Sequence, residues 1–263
     1  MTSDHYRHIA LSGGTVEVEW IGPPPDLAPT IVFLHEGLGC ISLWRDFPRE
    51  LCRLTGWGGL VYSRYGYGGS SAVLLPRRLD YHAVEAESVL PVLLATLKVE
   101  KHLLLGHSDG GTIALLNAAL ASQPGLLGLV AAAPHVFVET MTITGIAEAK
   151  RRFDEPGERS LRARLMRYHG DNVDCAFRGW CDSWLHPDFR DWSVEAALPG
   201  VRVPALLVQG RGDEYASLEQ IDRIATGVSG PVERLILENC GHSPHLERMD
   251  ETLAGVAGFI ARI

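Results

Sequence analysis

The stretch KHLLLGHSDGGTIALLNAALAS, residues 101–122, passes from an apolar run through Gly106-His107-Ser108-Asp109-Gly110 into a run of helical period. The five central residues match Gly-x-Ser-x-Gly, a pattern that carries meaning where a buried strand ends and a helix begins. Both flanks are present. A turn that sharp forces its middle residue into a strained backbone conformation, and glycines on either side remove the Cβ atoms that would clash. The Ser108 hydroxyl then stands at a helix N-terminus, where backbone N–H groups favour developing negative charge. A Gly-rich turn with a merely capping serine is the bland alternative, disfavoured by the strand before it and the helix after it.

Working outward, TIVFLHEG, GGLVYSRYG, LLGLVAAAP and VPALLVQG are further short apolar runs, suited like KHLLLGHS to strands buried on both faces. Between them SLWRDFPRELCRLT, DYHAVEAESVLPVLLATL and GGTIALLNAALAS carry helical spacing, with Pro48 and Pro91 marking late starts or kinks. The alternation predicts a mostly parallel sheet with helices on both faces, an α/β fold. At the front, HIAL and TVEVEW flank Ser12-Gly13-Gly14 and read as an antiparallel hairpin. From about residue 139 to 199 the alternation breaks into several short helices rich in Arg and Trp. The expected division is a core of residues 1–138 and 200–263 with a helical cap, 139–199, inserted in it.

The chain of 263 residues suits one such domain, and 46% hydrophobic with 21% charged residues is ordinary globular composition. A net charge of -8 leaves no broad basic surface for nucleic acid or an anionic membrane. The start MTSDHYRHIALSGG has neither a basic region nor a long apolar stretch, and charges, Pro and Gly interrupt every later candidate span, so the expected location is the cytoplasm. Cys40, Cys52, Cys175, Cys181 and Cys240 lack metal-ligand or C-x-x-C spacing and read as free thiols. No metal or cofactor is expected; the partner is a small-molecule substrate, and a homodimer stays open.

These motifs together resemble the α/β-hydrolase family, over about residues 8–262 and in the family's order of nucleophile, acid and base. The resemblance implies that Ser108 is the nucleophile. It implies that Asp213, in Gly210-Arg211-Gly212-Asp213-Glu214 after a late strand, is the orienting acid, with Glu214 as the competing choice. The block Gly241-His242-Ser243-Pro244-His245-Leu246-Glu247 resembles the family's terminal G-H-x-x-H-L-E and implies His242 as the base. The main-chain N–H groups of Gly37 and Asp109 are the implied oxyanion donors.

Two departures stand out. In His35-Glu36-Gly37-Leu38-Gly39 a carboxylate replaces a glycine of the H-G-x-x-G pattern, and Ser63-Arg64-Tyr65-Gly66-Tyr67 replaces the usual D-x-R-G-x turn. An unpaired anion beside the hole opposes catalysis. The expectation is that Glu36 turns away and pairs with Arg64; were it to face the pocket unpaired, it would suit a substrate amine. Further pocket candidates are His35, His107, His135, Glu139, Trp180 and Trp184, although His107 suits packing and Ala-Pro-His suits a hinge. The aromatic residues Tyr168, Phe177, Trp180, Trp184, Phe189 and Trp192 read as the underside of the cap. Arg152, Arg162, Arg164 and Arg167 read as a solvated face, with a bound carboxylate or acyl-carrier partner as the alternative.

The activity implied is serine hydrolysis of a small ester, lactone or thioester. The same residues leave open carbon–carbon bond hydrolysis of a vinylogous diketone and, from another class, a non-enzymatic ligand receptor. Epoxide and dehalogenation chemistry is disfavoured, because the nucleophile position holds Ser108 and not a carboxylate.

Overall fold

The computed structural model describes residues 6–121 and 124–263. Residues 1–5 of the N-terminal reading, and Ser122 at the end of the helix expected after Ser108, lie outside the described residues. The strands are β1 (Arg7–Leu11), β2 (Gly14–Ile21), β3 (Thr30–Leu34), β4 (Gly58–Ser63), β5 (His102–His107), β6 (Leu126–Ala132), β7 (Ala205–Gly210) and β8 (Val232–Leu237). They form one sheet in the order β1-β2-β4-β3-β5-β6-β7-β8. Strands β1 and β2 make the antiparallel hairpin, in which Leu11 faces Gly14, and Gly14 takes the φ of 133° that a side chain disfavours. From β4 to β8 every pairing is parallel.

Burial follows position in the sheet. Strands β3, β4, β5 and β7 are buried at every residue, whereas β1 and β8 at the edges include exposed positions. On one face the sheet packs with residues of α3 (Leu90–Thr96), α4 (Asp109–Leu120) and α8 (Leu218–Gly227), including Leu93, Ile113 and Ile221. On the other it packs with Phe47 and Leu51 of α1 (Phe47–Thr55) and Val256 and Phe259 of α10 (Met249–Ile260), which follows the short α9 (Pro244–Glu247). Each such large apolar side chain contributes roughly 1.5–3 kcal/mol relative to exposure.

Both prolines act where helical spacing meets them. The run read as a single helix from Ser42 splits into a 3₁₀ turn at Ile41–Trp44 and α1, with Arg45 at φ 55° between them and Pro48 in the first turn of α1. The run before Pro91 begins as α2 (Tyr81–Val84), widens into a π turn at Glu85–Val89 and resumes as α3. Pro91 offers no N–H to the helical ladder, so the backbone slips register just ahead of it.

Between β6 and β7 the chain runs through α5 (Thr140–Asp154), α6 (Leu161–His169) and α7 (Val173–Trp184), and an isolated bridge joins Phe137 to Ser193. Ile146, Phe153, Phe177, Trp180, Trp184 and Phe189 form a separate apolar cluster there, with Phe153 and Phe177 stacked at 3.7 Å. Among the described residues no helix is long and apolar enough to cross a membrane.

Candidate active site

Strand β5 ends at His107, α4 begins at Asp109, and Ser108 between them has φ 52° and ψ -118°. Parallel pairing holds this corner, since the Ser108 N–H donates to the Ala132 carbonyl at 2.8 Å and the Ser108 carbonyl accepts from Gly111 and Thr112. A Cβ at Gly106 would strike the Gly110 carbonyl, and one at Gly110 would strike the Leu34 carbonyl. Only glycine fits either position, so the spacing is imposed by sterics as well as by strain.

The Ser108 hydroxyl lies 3.0 Å from His242 Nε2, and His242 Nδ1 lies 2.9 and 2.8 Å from the two Asp213 oxygens. A carboxylate only accepts, so Nδ1 carries the hydrogen and Nε2 presents its lone pair to the hydroxyl. Asp213 Oδ1 also accepts from the N–H groups of Tyr215 and Ala216, and Oδ2 from Gln209 Nε2 at 2.6 Å. Burial opposes ionisation of Asp213, yet the hydrogen bonds from His242, Tyr215 and Ala216 hold its carboxyl below the usual range. The carboxylate that meets His242 is thus Asp213; no such contact is made by Glu214 among the described residues. The His242 turn is bracketed by Glu247, which accepts from the N–H groups of Gly241 and Ser243.

Around this group lies a pocket of about 140 Å³. Of the residues expected there, Ser108, Asp109, Glu36, Gly37, His135, Trp180, Trp184 and His242 line it. The Trp180 indole occupies the space a Cβ on Gly37 would need, which makes that glycine a packing requirement. His135 is buried, its Nε2 donates to the Tyr215 carbonyl at 3.3 Å, and burial pushes its ring down to about 4. Leu38, beside Gly37, also lines it, and Thr142, Ile146 and Tyr215 complete the wall without any motif to announce them; Thr142 donates to the Tyr215 carbonyl at 2.6 Å.

Three pocket expectations are corrected. Glu139 does not line the pocket; it accepts from the Ser217 N–H and Gln220 Nε2, joining the start of α5 to α8. His35 sits fully buried behind the loop, where Nε2 accepts from the Arg64 N–H at 3.0 Å and Nδ1 donates to the Glu36 carbonyl at 2.7 Å. His107 is buried beneath the turn and does not reach the pocket wall; its Nε2 donates to the His242 carbonyl at 2.7 Å.

The expected Glu36–Arg64 ion pair is also absent. The Arg64 guanidinium donates to the main-chain carbonyls of Glu36 at 2.9 Å and His35 at 3.3 Å, while the Glu36 carboxylate faces His107 Nδ1 at 3.6 Å. Arg64 is instead drawn toward Asp109, 3.9 Å away, in a buried group that the motifs concealed. Asp109 accepts from Tyr81 at 2.7 Å and stands 3.2 Å from His82 Nε2; Tyr81 in turn accepts from the Trp184 indole N–H at 3.0 Å. Burial opposes the Asp109 charge, but His82, Arg64 and Tyr81 outweigh it and hold the carboxyl well below the ordinary range. Ser63, which replaces the turn's usual carboxylate, donates to Glu17 of β2 at 2.8 Å, so the missing anion is supplied by a neighbouring strand.

Comparison with known families decides the ancestry: the model of the alpha/beta hydrolase family matches residues 31–255. The chain belongs to that family. Among individual relatives, this alpha/beta hydrolase is 23% identical to epoxide hydrolase A of Mycobacterium tuberculosis, over 97% of this chain and 96% of that protein. It is 25% identical to a 2-hydroxy-6-oxononadienedioate/2-hydroxy-6-oxononatrienedioate hydrolase of Klebsiella pneumoniae, over 99% and 96%. The structure superposes on the enol-lactonase from Burkholderia xenovorans with a TM-score of 0.74 at 19% identity, covering 97% of this chain and all of that one. At such identities the structural likeness speaks for the fold, and the named activities belong to the relatives.

Proposed function

We propose that this alpha/beta hydrolase cleaves a small carboxylic ester, lactone or thioester through an acyl-enzyme on Ser108. The observation that carries the reading is the line of hydrogen bonds from Ser108 Oγ through His242 to Asp213, ending in a pocket. The Ser108 oxygen attacks the carbonyl carbon while His242 Nε2 takes its proton. The carbonyl oxygen becomes an oxyanion held by the N–H groups of Gly37 and Asp109, the second of which, as the first residue of α4, has no partner within the helix. Collapse expels the leaving group, which takes the proton from His242, and water then repeats the sequence to release the acid. In this reading residues 139–199 form a cap whose Trp180 and Trp184 shield the reacting carbonyl from solvent.

The pocket favours short acyl groups, since its volume is of the order that holds a single aromatic ring. It also weighs against carbon–carbon cleavage of a dioate, which carries two carboxylates, since among the described residues no Lys or Arg lines the pocket to receive them. Epoxide opening fits poorly for the reason that Ser108 stands at the nucleophile position. The test is turnover across acetyl, butyryl and longer p-nitrophenyl esters, lactones and thioesters. Hydrolysis of the short members is expected, falling by about three orders of magnitude or more in Ser108→Ala. A Ser108→Ala protein that keeps its activity, or a wild type inert to all three classes, rejects the reading.

A further inference from the structure

Glu36 and His107 both depart from what the nucleophile requires, and they depart toward each other. His107 immediately precedes Ser108, Glu36 immediately precedes Gly37, and their side chains meet at 3.6 Å. The hydrogen bonding of His107 constrains its protons without reference to any titration. Its Nε2 lies 2.7 Å from the His242 carbonyl, a group that only accepts, so Nε2 must carry a hydrogen. A neutral ring protonated there presents a lone pair at Nδ1, which would face the lone pairs of the Glu36 carboxylate. The contact is attractive only when one further proton lies between the two groups, as imidazolium with carboxylate or imidazole with carboxylic acid.

We propose that Glu36 and His107 hold one proton in common and form a net-neutral tie between the loop after β3, the nucleophile turn and the His242 loop. The inference rests on the acyl-enzyme reading above, and it assigns both as positioning residues. The tie makes an acidic side chain tolerable beside the developing oxyanion, because the charge of Glu36 is offset within the same pair. It also fixes the backbone of His242 from below, through the His107 Nε2–H.

The surroundings agree with the ionised arrangement. Burial resists the charge on each group, but the pairing outweighs it: the Glu36 carboxyl is lowered to about 2 and the His107 ring is raised. Other groups facing the pair are His35, Cys40 and Arg64 from the loops after β3 and β4, His169 from α6, Asp213 from the β7 loop, His242 from the loop after β8 and His245 from the short helix Pro244–Glu247. Asp213 favours the charged His107, whereas His245 is kept neutral, its ring held down to about 3 by burial and by the His107 charge. Arg64 does not compete for the Glu36 carboxylate, because its guanidinium is spent on the main-chain carbonyls of His35 and Glu36.

The charge bookkeeping predicts an asymmetry between the two halves. His107→Gln leaves an unpaired carboxylate beside the reaction centre, so kcat on p-nitrophenyl acetate should fall about tenfold, within the range for coupled charges in contact, with KM little changed. Glu36→Gln should cost less, since a neutral His107 still donates to the His242 carbonyl. The Glu36→Gln/His107→Gln double variant should recover most of what His107→Gln lost, and His107→Gln alone should lose activity as pH rises through the ionisation of Glu36. A double variant no better than His107→Gln overturns the proposal. An activity-independent readout uses the Ser108→Ala protein, with His107 and Glu36 followed by nitrogen-15 and carbon-13 NMR. One shared proton at neutral pH is expected; a neutral His107 beside an ionised Glu36 overturns it. Absence of ester turnover in the wild type would instead reject the acyl-enzyme reading, leaving the NMR result to decide the proton.

Discussion

Two carboxylate–imidazole pairs flank Ser108, Asp213 with His242 on one side and Glu36 with His107 on the other, and their rings are 5.2 Å apart. By residue type they are interchangeable. What separates them is the partner of the second ring nitrogen: His242 Nε2 meets a hydroxyl and can accept its proton, while His107 Nε2 meets a carbonyl and is bound to donate. The carboxylates differ in the same sense. Asp213 takes hydrogen bonds from two backbone N–H groups and a glutamine besides its histidine, which fixes its position. Glu36 has a side chain about a quarter exposed and a longer contact at 3.6 Å. Acting as a base toward a hydroxyl requires a lone pair aimed at it more than a nearby acid, and only the Asp213–His242 pair has that geometry.

The comparison can be broken at three points, in falling order of effect. Asp213→Asn keeps the shape of the first pair but can turn an amide N–H toward His242, favouring the tautomer that has no lone pair for Ser108. Turnover should drop by about 10³–10⁴-fold, and a loss under tenfold would mean the carboxylate does not orient the ring. Gly37→Ala drives a methyl group against the Trp180 indole and displaces the loop carrying one of the two proposed oxyanion donors. Steady-state kinetics should show kcat down by about 10²-fold, the magnitude for losing one such donor. Trp184→Phe removes the N–H that Tyr81 accepts, a contact between α7 and the helix that steadies Asp109. Urea denaturation should register about 1 kcal/mol, with activity reduced only a few fold; no change in stability would show the hydrogen bond to be replaceable by water.

The centre of the sheet was legible because β3, β4, β5 and β7 are buried on both faces and so read as unbroken apolar runs, β5 leading into the turn flanked by the glycines at 106 and 110 that sterics demand. The placement of Ser108, Asp213 and His242 in the turns that follow β5, β7 and β8 was legible as well, since each sits in a motif after an apolar run. The two charge networks were not. Arg64 was expected on the Glu36 carboxylate, but a sequence does not say whether a guanidinium will choose a side chain or a main-chain carbonyl. Glu17, Tyr81, His82 and Tyr215 reach the site region from a hairpin strand, a helix and a loop, through contacts separated by tens of residues. Their identities follow no local period, so only the assembled fold reveals them. Glu139 was misplaced for a related reason: its position after β6 pointed toward the pocket, while its carboxylate found the Ser217 N–H and Gln220 instead.

The central claim is that Ser108 becomes the covalent nucleophile through His242. It is tested most directly by treating the native protein with a fluorophosphonate and locating the adduct by tandem mass spectrometry. The account predicts a single phosphonyl group on Ser108, formed quickly in the wild type and at least about 10³-fold more slowly in His242→Ala. An adduct on another residue, or an equal rate in the two proteins, would contradict it.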